Sequence, residues 1–481
     1  MGFLVSDAHK LPTETRENMK PPFDIAADLD TPVSTWLKLA PLQPRYLLES
    51  VEGGAHLARY SFLGFGKAVE FRLDATGMVS GGQRRPRPAG RDELLAAFRA
   101  TLALAPRLAP VIPDLPFAGG LVGVAGYDLV RYFERLPNAP QSPHNPVAPE
   151  AAYLAAESLL VFDHLTRRIA LLHAGTEDDR RKLRGRVIEL LRGALPPAPP
   201  KGSHTPAVQS LSGDDFMRAV AASKGSIAKG DVYQLVLSVQ FTGRHTLSPF
   251  ETYRALRLLN PSPYMFFVDL GDIQVAGSSP EALVKLRRGH ASLRPIAGTR
   301  PRGATPEQDA GHEQSLLADE KENAEHVMLV DLARNDLGRV ASAGSVYVDP
   351  YRCIERYSHV MHIVSGVQGE LAAGRDAFDL FAAAFPAGTL VGAPKVRAME
   401  IIDGLEPVRR GLYAGTVGYF GSNGDMDQAI AIRTLIFRGD TYQYQAGAGI
   451  VADSVPESEY NEVLAKSAIL RNALAIAEEG L

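Results

Sequence analysis

Short runs of alternating apolar and polar residues occur in the first part of the chain, at 46–51 and 68–73. Such alternation over about four to eight residues is typical of a β-strand with one buried face. In two other segments, 91–104 and 178–195, apolar residues recur every three or four positions, which indicates an amphipathic helix. We therefore predict two strands and two helices in these segments.

Both patterns occur together after residue 208. The predicted strands are 233–241, 265–269, 292–296, 415–420, 428–437 and 441–446. The predicted helices are 213–229, 249–260, 318–331, 376–384, 395–405 and 458–477. Many of the strands follow one another through short turns with no helix between them, which favours antiparallel sheets over a regular βαβ alternation.

A proline-rich break at 195–207, with the sequence LPPAPPKGSHTPA, separates the two parts of the chain. Proline at this density favours an extended, semi-rigid connector. We therefore predict an N-terminal region at 1–200 and a catalytic region at 205–481.

Composition limits the class of protein. Of 481 residues, 45% are apolar and 22% charged, as in ordinary soluble proteins, and the formal net charge of −4 argues against a sequence-independent nucleic-acid binder. No apolar run approaches the roughly 20 residues of a membrane span. The single cysteine, Cys353, excludes an intramolecular disulfide, and residues 1–20 lack the pattern of a secretory signal. We expect a cytoplasmic protein with no nucleic-acid or membrane partner.

Two Glu-x-x-Glu pairs lie in predicted helices, Glu322 with Glu325 and Glu459 with Glu462. Residues three apart share a helix face, so each helix presents two carboxylates together. Two such faces brought close would form an all-oxygen site suited to Mg²⁺. The alternative is that both pairs lie on solvated helix faces, which is the commoner situation for any single pair.

Glycine-rich segments indicate an anion site. The loop 386–395 runs directly into a helix, where free backbone N–H groups stabilise an anion, and 446–449 follows a strand and lets the backbone approach a ligand. Arg433, in a predicted strand, needs a carboxylate partner from protein or ligand. The segment 119–126 lacks the spacing of a dinucleotide-binding loop. These features suit a small substrate with carboxylate groups.

Several longer motifs carry a resemblance to a known family. They are LLES at 47–50, RYSFLG at 59–64, GSSPE at 277–281, PIAGTR at 295–300, DLARND at 331–336, the loop 386–395 and AGAGIV at 446–451. In these residues the chain resembles the chorismate-utilising enzymes, most closely the large component of the anthranilate synthases. The resemblance implies an α+β fold, in which two antiparallel β-sheets pack as a sandwich with helices outside and the active site between the sheets.

The resemblance also implies roles for individual residues. Mg²⁺ would be held by Glu325 and Glu462, with Glu322 and Glu459 in the outer shell. The substrate, chorismate, would be bound by Gly298, Thr299, Tyr413, Arg433, Gly447, Gly449 and Lys466. The catalytic residues would be Glu281, as general acid for the C4 hydroxyl, His362, linked to pyruvate loss, and Thr389, beside the ring. The alternative for His362 is a core histidine with one hydrogen bond.

Two positions bear on the nucleophile. Family members that add water at C2 have a lysine base where this chain has Gln234, and members that aminate C4 have a nucleophilic lysine where it has Ala297. Both differences favour direct attack of ammonia on C2. Because Cys353 lacks the surroundings of a glutaminase nucleophile, we expect a separate glutamine amidotransferase subunit, the anthranilate synthase component II, to supply the ammonia.

A second set of residues resembles the family's feedback site for L-tryptophan. Glu49 and Ser50 can meet an ammonium group, while Pro263, Tyr264 and Met265 offer an apolar slot for an indole ring. The alternative is that these residues form only a strand edge and a turn.

The expected function is conversion of chorismate and ammonia to anthranilate and pyruvate, with Mg²⁺ and tryptophan feedback inhibition. Two departures from the family pattern, Val391 in place of a hydroxyl residue and Gln428 in place of threonine, leave an alternative open. The enzyme would then release 2-amino-2-deoxyisochorismate before pyruvate loss. Amination at C4, as in aminodeoxychorismate synthase component I, is disfavoured by Ala297. An inactive homologue that acts as a ligand sensor is a third alternative.

Overall fold

The structure, a computed structural model, describes residues 22–50, 59–137, 148–357 and 360–481. Residues 1–20, in which we expected no secretory signal, lie outside the described residues. None of the described helices has the length and apolar content needed to cross a membrane.

The strands are numbered in chain order. They are β1 Ile25–Ala26, β2 Pro44–Glu49, β3 Tyr60–Asp74, β4 Gly77–Ser80, β5 Gln83–Arg85, β6 Gly120–Ala125, β7 Ala151–Asp163, β8 Arg168–His173, β9 Val208–Gln209, β10 Gln234–Arg244, β11 Tyr264–Asp269, β12 Gln274–Ser279, β13 Ala282–Arg287, β14 His290–Leu293, β15 Ile296–Pro301, β16 Tyr347–Val348, β17 Cys353–Arg356, β18 Val360–Val364, β19 Val367–Glu370, β20 Gly392–Ala393, β21 Thr416–Gly421, β22 Met426–Ile430, β23 Thr434–Arg438 and β24 Thr441–Ile450.

The α-helices are α1 Pro32–Lys38, α2 Arg91–Ala103, α3 Glu177–Arg192, α4 Gly213–Ala228, α5 Pro249–Leu259, α6 Pro306–Ala318, α7 Glu320–Gly338, α8 Ala377–Ala384, α9 Lys395–Leu405 and α10 Pro456–Glu479. Short 3₁₀ helices are Ala40–Leu42, Tyr127–Tyr132 and Gly388–Leu390.

Most strands belong to one continuous antiparallel sheet. A ladder runs through β10, β24, β23, β12, β11, β2, β3, β7, β6, β21, β22, β13, β14 and β19. A separate small sheet contains β15, β18 and β17. The predicted mixture of helices and antiparallel sheets is confirmed, while the face-to-face sandwich stays a prediction.

The large sheet takes strands from both predicted regions. Glu49 of β2 lies opposite Met265 of β11, and Gly123 of β6 lies opposite Gly418 of β21. Backbone hydrogen bonds therefore join the N-terminal and C-terminal parts of the chain, and the division at 200–205 stays a prediction.

Aromatic side chains fill the core between the sheet and two helices. The Phe98 ring of α2 stacks on Phe71 at 4.2 Å, and the Phe378 ring of α8 stacks on Phe420 of β21 at 4.5 Å. All four side chains are almost fully buried, with exposures of 0 to 3%. Offset ring pairs of this kind stabilise beyond the area that they bury, so they fix helices α2 and α8 on the sheet.

Two of the predicted strands run across breaks between strands. The predicted strand 428–437 is interrupted, because Arg433 has a φ of 49° and separates β22 from β23. Strand β22 pairs with β13 and β21, whereas β23 pairs with β12 and β24. The break therefore follows from long-range pairing, and the apolar run in the sequence does not indicate it. The predicted strand 292–296 likewise spans the gap between β14 and β15.

Helix α6 was missed, although Thr305 caps it and Pro306 opens it, a typical helix start. Helix α7 extends further than the predicted 318–331. Its cap is Asp319, whose side chain accepts hydrogen bonds from the backbone N–H groups of Lys321 and Glu322. This cap fixes the first turn of α7, in which Glu322 lies.

Candidate active site

A cleft of about 670 Å³ contains most of the residues that we predicted for catalysis and substrate binding. Its wall includes Glu281, Thr299, His362, Thr389, Tyr413, Arg433, Gly447, Gly449 and Lys466. These residues come from segments far apart in the chain, so the fold brings the predicted set together. A volume of this size suits a small organic ligand.

Glu281 occupies the turn between β12 and β13, and its backbone carbonyl accepts a hydrogen bond from the N–H of Ile430 at 3.0 Å. Surrounding protein raises the pKa of its carboxyl to about 7, although the hydrogen bond from Thr389 and the charge of Lys466 act in the opposite direction. The Thr389 hydroxyl donates to the carboxylate at 2.9 Å. A carboxyl with a pKa near neutrality is suited to general acid catalysis.

His362 lies on β18 directly opposite Thr299 of β15. Its Nδ1 is 3.0 Å from the carbonyl oxygen of Gly298 and 3.1 Å from the Thr299 hydroxyl, and its ring packs edge-on against Tyr357 at 5.7 Å. Burial lowers the pKa of the imidazole and favours the neutral form. A proton on Nδ1 that donates to the Gly298 carbonyl leaves Nε2 as a base.

Thr389 belongs to the 3₁₀ turn of the loop 386–395, which is attached to β10 by pairing of β20. At Gly392, with a φ of 135°, an added Cβ would lie 2.1 Å from the backbone oxygen of Gln234, so only glycine fits. Val391 is fully buried beside this contact, and it does not line the cleft.

Two glycines of β24 bring polar groups close to the backbone. A Cβ on Gly447 would lie 2.6 Å from the Tyr413 hydroxyl, and one on Gly449 would lie 2.9 Å from the Gln234 side-chain nitrogen. Lys466 of α10 donates to the carbonyl of Gly447 at 3.2 Å. The absence of side chains at the two glycines therefore lets Tyr413 and Gln234 pack against β24, and both glycines line the cleft.

Arg433, in the break between β22 and β23, lines the cleft, and its Nη1 is 3.4 Å from the side-chain oxygen of Asn260. The left-handed backbone at this residue ends the strand locally. Together with Lys466 it gives the cleft two cationic groups, which fits an anionic ligand.

The predicted metal ligands lie on α7 and α10. Burial raises the pKa of Glu325 first, and repulsion from Glu322 and Glu462 raises it further, so carboxylates of both helices are within electrostatic reach. Glu462 pairs with Lys466 at 2.6 Å, and Glu322 is 3.4 Å from Arg300.

Over the described parts of the chain, no group of three or more histidine, cysteine, aspartate or glutamate side chains is arranged to hold a metal ion. The convergence of four glutamates on one ion therefore stays a prediction. The donor set still fits Mg²⁺, which commonly uses one or two protein carboxylates, an anionic substrate and waters. The negative charges of Glu325 and Glu462 repel each other, and a cation bound between them would offset that repulsion.

Comparison with known proteins identifies the family. A model of the chorismate binding enzymes matches residues 43–472. The chain belongs to the chorismate-binding enzyme family. Anthranilate synthase component 1 of Acinetobacter calcoaceticus is 45% identical over 474 residues, covering 95% of this chain and 95% of that protein. The Thermus thermophilus protein of the same name is 45% identical over 461 residues, covering 95% of this chain and 97% of that protein.

Solved structures of chorismate-binding enzymes share the fold. Anthranilate synthase component I from Streptococcus pneumoniae TIGR4 has a TM-score of 0.75 at 37% identity, covering 86% of this chain and 92% of that chain. The menaquinone-specific isochorismate synthase from Escherichia coli has a TM-score of 0.69 at 19% identity, covering 93% of this chain and 92% of that chain. The second likeness shows the fold alone.

This chorismate-binding enzyme has a second, larger cleft of about 1500 Å³. All five residues of the predicted tryptophan site line it: Glu49, Ser50, Pro263, Tyr264 and Met265. The carboxylate of Glu49 accepts hydrogen bonds from the Tyr253 hydroxyl and from Arg257, at 3.1 and 3.2 Å for the latter. The structure therefore brings the predicted residues together on one surface.

Among the residues that line the first cleft, Tyr357 and Gln445 are polar side chains that the sequence analysis did not single out. Gln445 immediately precedes the glycine segment 446–449, and its amide donates to the Ser238 hydroxyl at 2.8 Å. Tyr357 precedes His362 by five positions and packs on its ring. Both residues lie close in sequence to predicted site residues, and this proximity is the feature of the sequence that could have indicated them.

Proposed function

We propose that this chain is the large component of an anthranilate synthase and converts chorismate and ammonia to anthranilate and pyruvate. One observation carries the proposal at the site: a carboxyl with a pKa of about 7, Glu281, in a cleft with two cationic side chains. The 45% identity to anthranilate synthase component 1 proteins over nearly the whole chain supports the same activity.

Chorismate carries two carboxylates, and the cleft offers partners for them. Arg433 and Lys466 are the charged partners, and Tyr413, Gly447 and Gly449 line the same cleft beside them. Gly298 and Thr299 contact His362 and would lie beside the ring of the substrate. Positioning of this kind lowers the barrier by holding the reacting atoms in place.

In the first step, the lone pair of ammonia forms the C2–N bond, the ring double bonds shift, and the C4–O bond breaks. Glu281 gives its proton to the departing hydroxyl, which leaves as water. Thr389 stabilises the carboxylate that remains, because its hydroxyl donates to that group. The product of this step is 2-amino-2-deoxyisochorismate.

In the second step, neutral His362 takes the proton from C2 through Nε2. The electrons of the C–H bond complete the aromatic ring, and the C3–O bond breaks with its electron pair on oxygen, which releases the enolate of pyruvate; one proton on its methylene carbon then gives pyruvate. The lowered pKa of His362 keeps the base unprotonated near neutral pH.

Glu325 and Glu462 would hold a Mg²⁺ ion, with Glu322 and Glu459 behind them. When bound, the ion would withdraw charge from the ring carboxylate of the substrate. Burial and then repulsion from Glu322 and Glu462 raise the pKa of Glu325, and the nearness of these carboxylates supports this assignment.

Ammonia would come from a glutamine amidotransferase subunit, the anthranilate synthase component II. The relatives are named component 1, which implies a second component for those proteins. Cys353, the only cysteine of the chain, lies exposed on β17 and does not line the first cleft. An unpaired exposed cysteine suits a reducing compartment, and we further propose a cytoplasmic location.

We also propose that L-tryptophan binds in the larger cleft as a feedback inhibitor. Glu49 and Ser50 would accept hydrogen bonds from its ammonium group, and the indole ring would pack against Pro263, Tyr264 and Met265. The larger cleft shares Pro263, Pro280, Ile296 and Tyr357 with the first cleft, so a ligand in one can act on the other.

The test is an assay of product identity. Purified protein with chorismate, Mg²⁺ and an ammonium salt at alkaline pH is expected to release equal amounts of fluorescent anthranilate and pyruvate, identified by mass spectrometry. An amino product without pyruvate would instead establish a 2-amino-2-deoxyisochorismate synthase. No contact favours that alternative, because neither Val391 nor Gln428 lines the cleft and Gln428 donates to the buried carbonyl of Tyr419.

A further inference from the structure

A buried ion pair lies directly beneath the first cleft. The side chains of Arg410 and Glu406 are 1% and 3% exposed, and two hydrogen bonds of 2.7 and 2.9 Å join them. Glu406 also accepts hydrogen bonds from the N–H and the hydroxyl of Ser238, at 2.9 and 2.7 Å. Neither member of the pair lines the cleft, so neither can touch a substrate there.

The remaining donors of Arg410 go to the backbone of cleft-lining residues. Nη1 donates to the carbonyl of Leu390 at 2.7 Å, and Nη2 donates to the carbonyl of Val236 at 2.7 Å. The rings of Tyr127 and Tyr413 lie over the guanidinium at 4.9 and 5.6 Å. The group is held rigidly, because its planar fork is bonded in several directions and covered by two rings.

An ion pair of this kind is not explained by stability alone. Removing two charges from water costs about as much as their attraction returns, and apolar side chains of similar volume often do as well. What apolar side chains cannot do is bond two backbone carbonyls at once. The arrangement therefore indicates that the backbone carbonyls of Leu390 and Val236 must be held in fixed positions.

Leu390 follows Thr389 directly, and the Thr389 hydroxyl donates to Glu281. We propose that Arg410 is a positioning residue for the reaction, which holds the Leu390 carbonyl and thereby keeps the Thr389 hydroxyl on the Glu281 carboxylate. The inference rests on the proposed function, and it adds a residue that acts through the 3₁₀ turn Gly388–Leu390 without reaching the substrate.

Loss of the Arg410 fork frees the turn and weakens the hydrogen bond to Glu281. That bond favours the ionised carboxylate, so the pKa of Glu281 rises when it is lost. Lys466, paired with Glu462, lowers the same pKa and does not depend on the turn.

Arg433 and His362 also line the cleft. The hydrogen bonds of Arg410 go instead to Glu406, Leu390 and Val236. The expected signature is therefore a change confined to the acid step.

Arg410→Lys is the first test variant, because lysine keeps the charge but lacks the planar fork. Arg409→Lys is the matched control, since no hydrogen bond or ion pair of the Arg409 side chain occurs within the described residues. We expect Arg410→Lys to lower kcat roughly ten- to hundredfold, the cost of a small misplacement of a reacting group, while Arg409→Lys stays within about twofold of the wild type. An unchanged kcat in folded Arg410→Lys would overturn the proposal.

A double-variant cycle tests the route through Thr389. Groups that act as one unit are not additive, so Arg410→Lys is expected to have little further effect on kcat once Thr389→Val is present. Effects of the two changes that multiply would show that Arg410 acts by another route and would contradict the proposal.

A spectroscopic measurement separates this inference from the proposed activity. The infrared band of the protonated carboxyl that disappears in Glu281→Gln reports the pKa of Glu281 without any substrate. Arg410→Lys is expected to shift that titration to higher pH even if the product is not anthranilate. An unshifted titration would overturn the positioning role while leaving the proposed function intact.

Glu406→Gln keeps the proposal testable if Arg410→Lys does not fold. This change weakens the ion pair but leaves Arg410 able to donate to Leu390 and Val236. The protein should melt at lower temperature with the Glu281 titration unchanged. A titration that shifts with Glu406→Gln would show that the Leu390 bond is not the link.

Discussion

At the residue scale, the pKa of Glu281 is set by groups that sequence spacing does not reveal. Thr389 lies 108 positions away, and Lys466 is further still. Enclosure by the cleft wall outweighs both of these groups and raises the pKa to about 7. The motif 277–281 identifies Glu281 as the candidate acid, but the protonation state of its carboxyl follows from the folded surroundings.

The rate should follow the protonated form of Glu281. With free ammonia held constant at each pH, kcat/KM for chorismate is expected to fall as pH rises through about 7, where the acid loses its proton. Glu281→Asp should keep a limb of this kind at lower activity, and Glu281→Gln should lose it. A profile flat between pH 6 and 8 under constant ammonia would contradict the role of general acid.

The same pKa makes Glu281 a cost to stability. Its folded-state pKa of about 7 lies above the ordinary glutamate value of 4.5, so the unfolded state ionises first as pH rises. Destabilisation therefore grows from about pH 4.5 to about 7 and is constant above that range. We expect Glu281→Gln to be more stable than the wild type at pH 8, by about 1–3 kcal/mol, and equal to it near pH 4. Urea unfolding at the two pH values measures the difference.

At the element scale, α7 and α10 bring Glu325 and Glu462 within electrostatic reach of each other. Glu325 and Glu462 interact although 137 positions separate them in the sequence (462 − 325 = 137). The i, i+3 spacing predicted the shared face on each helix. The approach of the two helices required the fold.

Mg²⁺ affinity tests the two helices directly. Glu325→Gln and Glu462→Gln are each expected to weaken Mg²⁺ binding by calorimetry roughly tenfold or more, because each removes a charged oxygen ligand. Glu320→Gln, an exposed residue of α7, is the matched control and should bind as the wild type. Equal affinity in all three variants would place the ion elsewhere.

The accuracy of the prediction from sequence differs from element to element. Helix α9 was predicted with the bounds it has, because its apolar periodicity begins directly after Pro394. The break at Arg433 was not predictable, since its left-handed φ is imposed by the change of strand partners and not by the local residue types. Local pattern therefore located the helices well, and pairing decided the strand limits.

At the scale of the whole molecule, the continuous sheet connects the two clefts. β11 carries Tyr264 and Met265, pairs with β2 on one side, and pairs with β12, which leads into Glu281, on the other. A single sequence does not specify such long-range pairs, so the link between the two clefts through paired strands and shared lining residues emerges only in the fold. A shift of β11 would be felt at both clefts.

Tryptophan and chorismate should therefore bind with reciprocal effects. If tryptophan weakens chorismate binding by some factor, chorismate must weaken tryptophan binding by the same factor, because the coupling free energy is shared. Calorimetric titration of each ligand in the presence of the other measures both factors. Equal affinities with and without the second ligand would show that the clefts are independent.

Glu49→Gln isolates the regulatory cleft from the catalytic one. The amide keeps the size of the side chain but removes the charge that would meet the ammonium group of tryptophan, and it leaves Arg257 without its carboxylate partner. We expect tryptophan affinity to fall roughly tenfold, in line with the loss of a charge-assisted contact, while kcat without tryptophan stays within about twofold. Glu70→Gln, which removes an exposed ion pair with Arg45, is the matched control. Loss of inhibition in both variants, or in neither, would contradict a tryptophan site at Glu49.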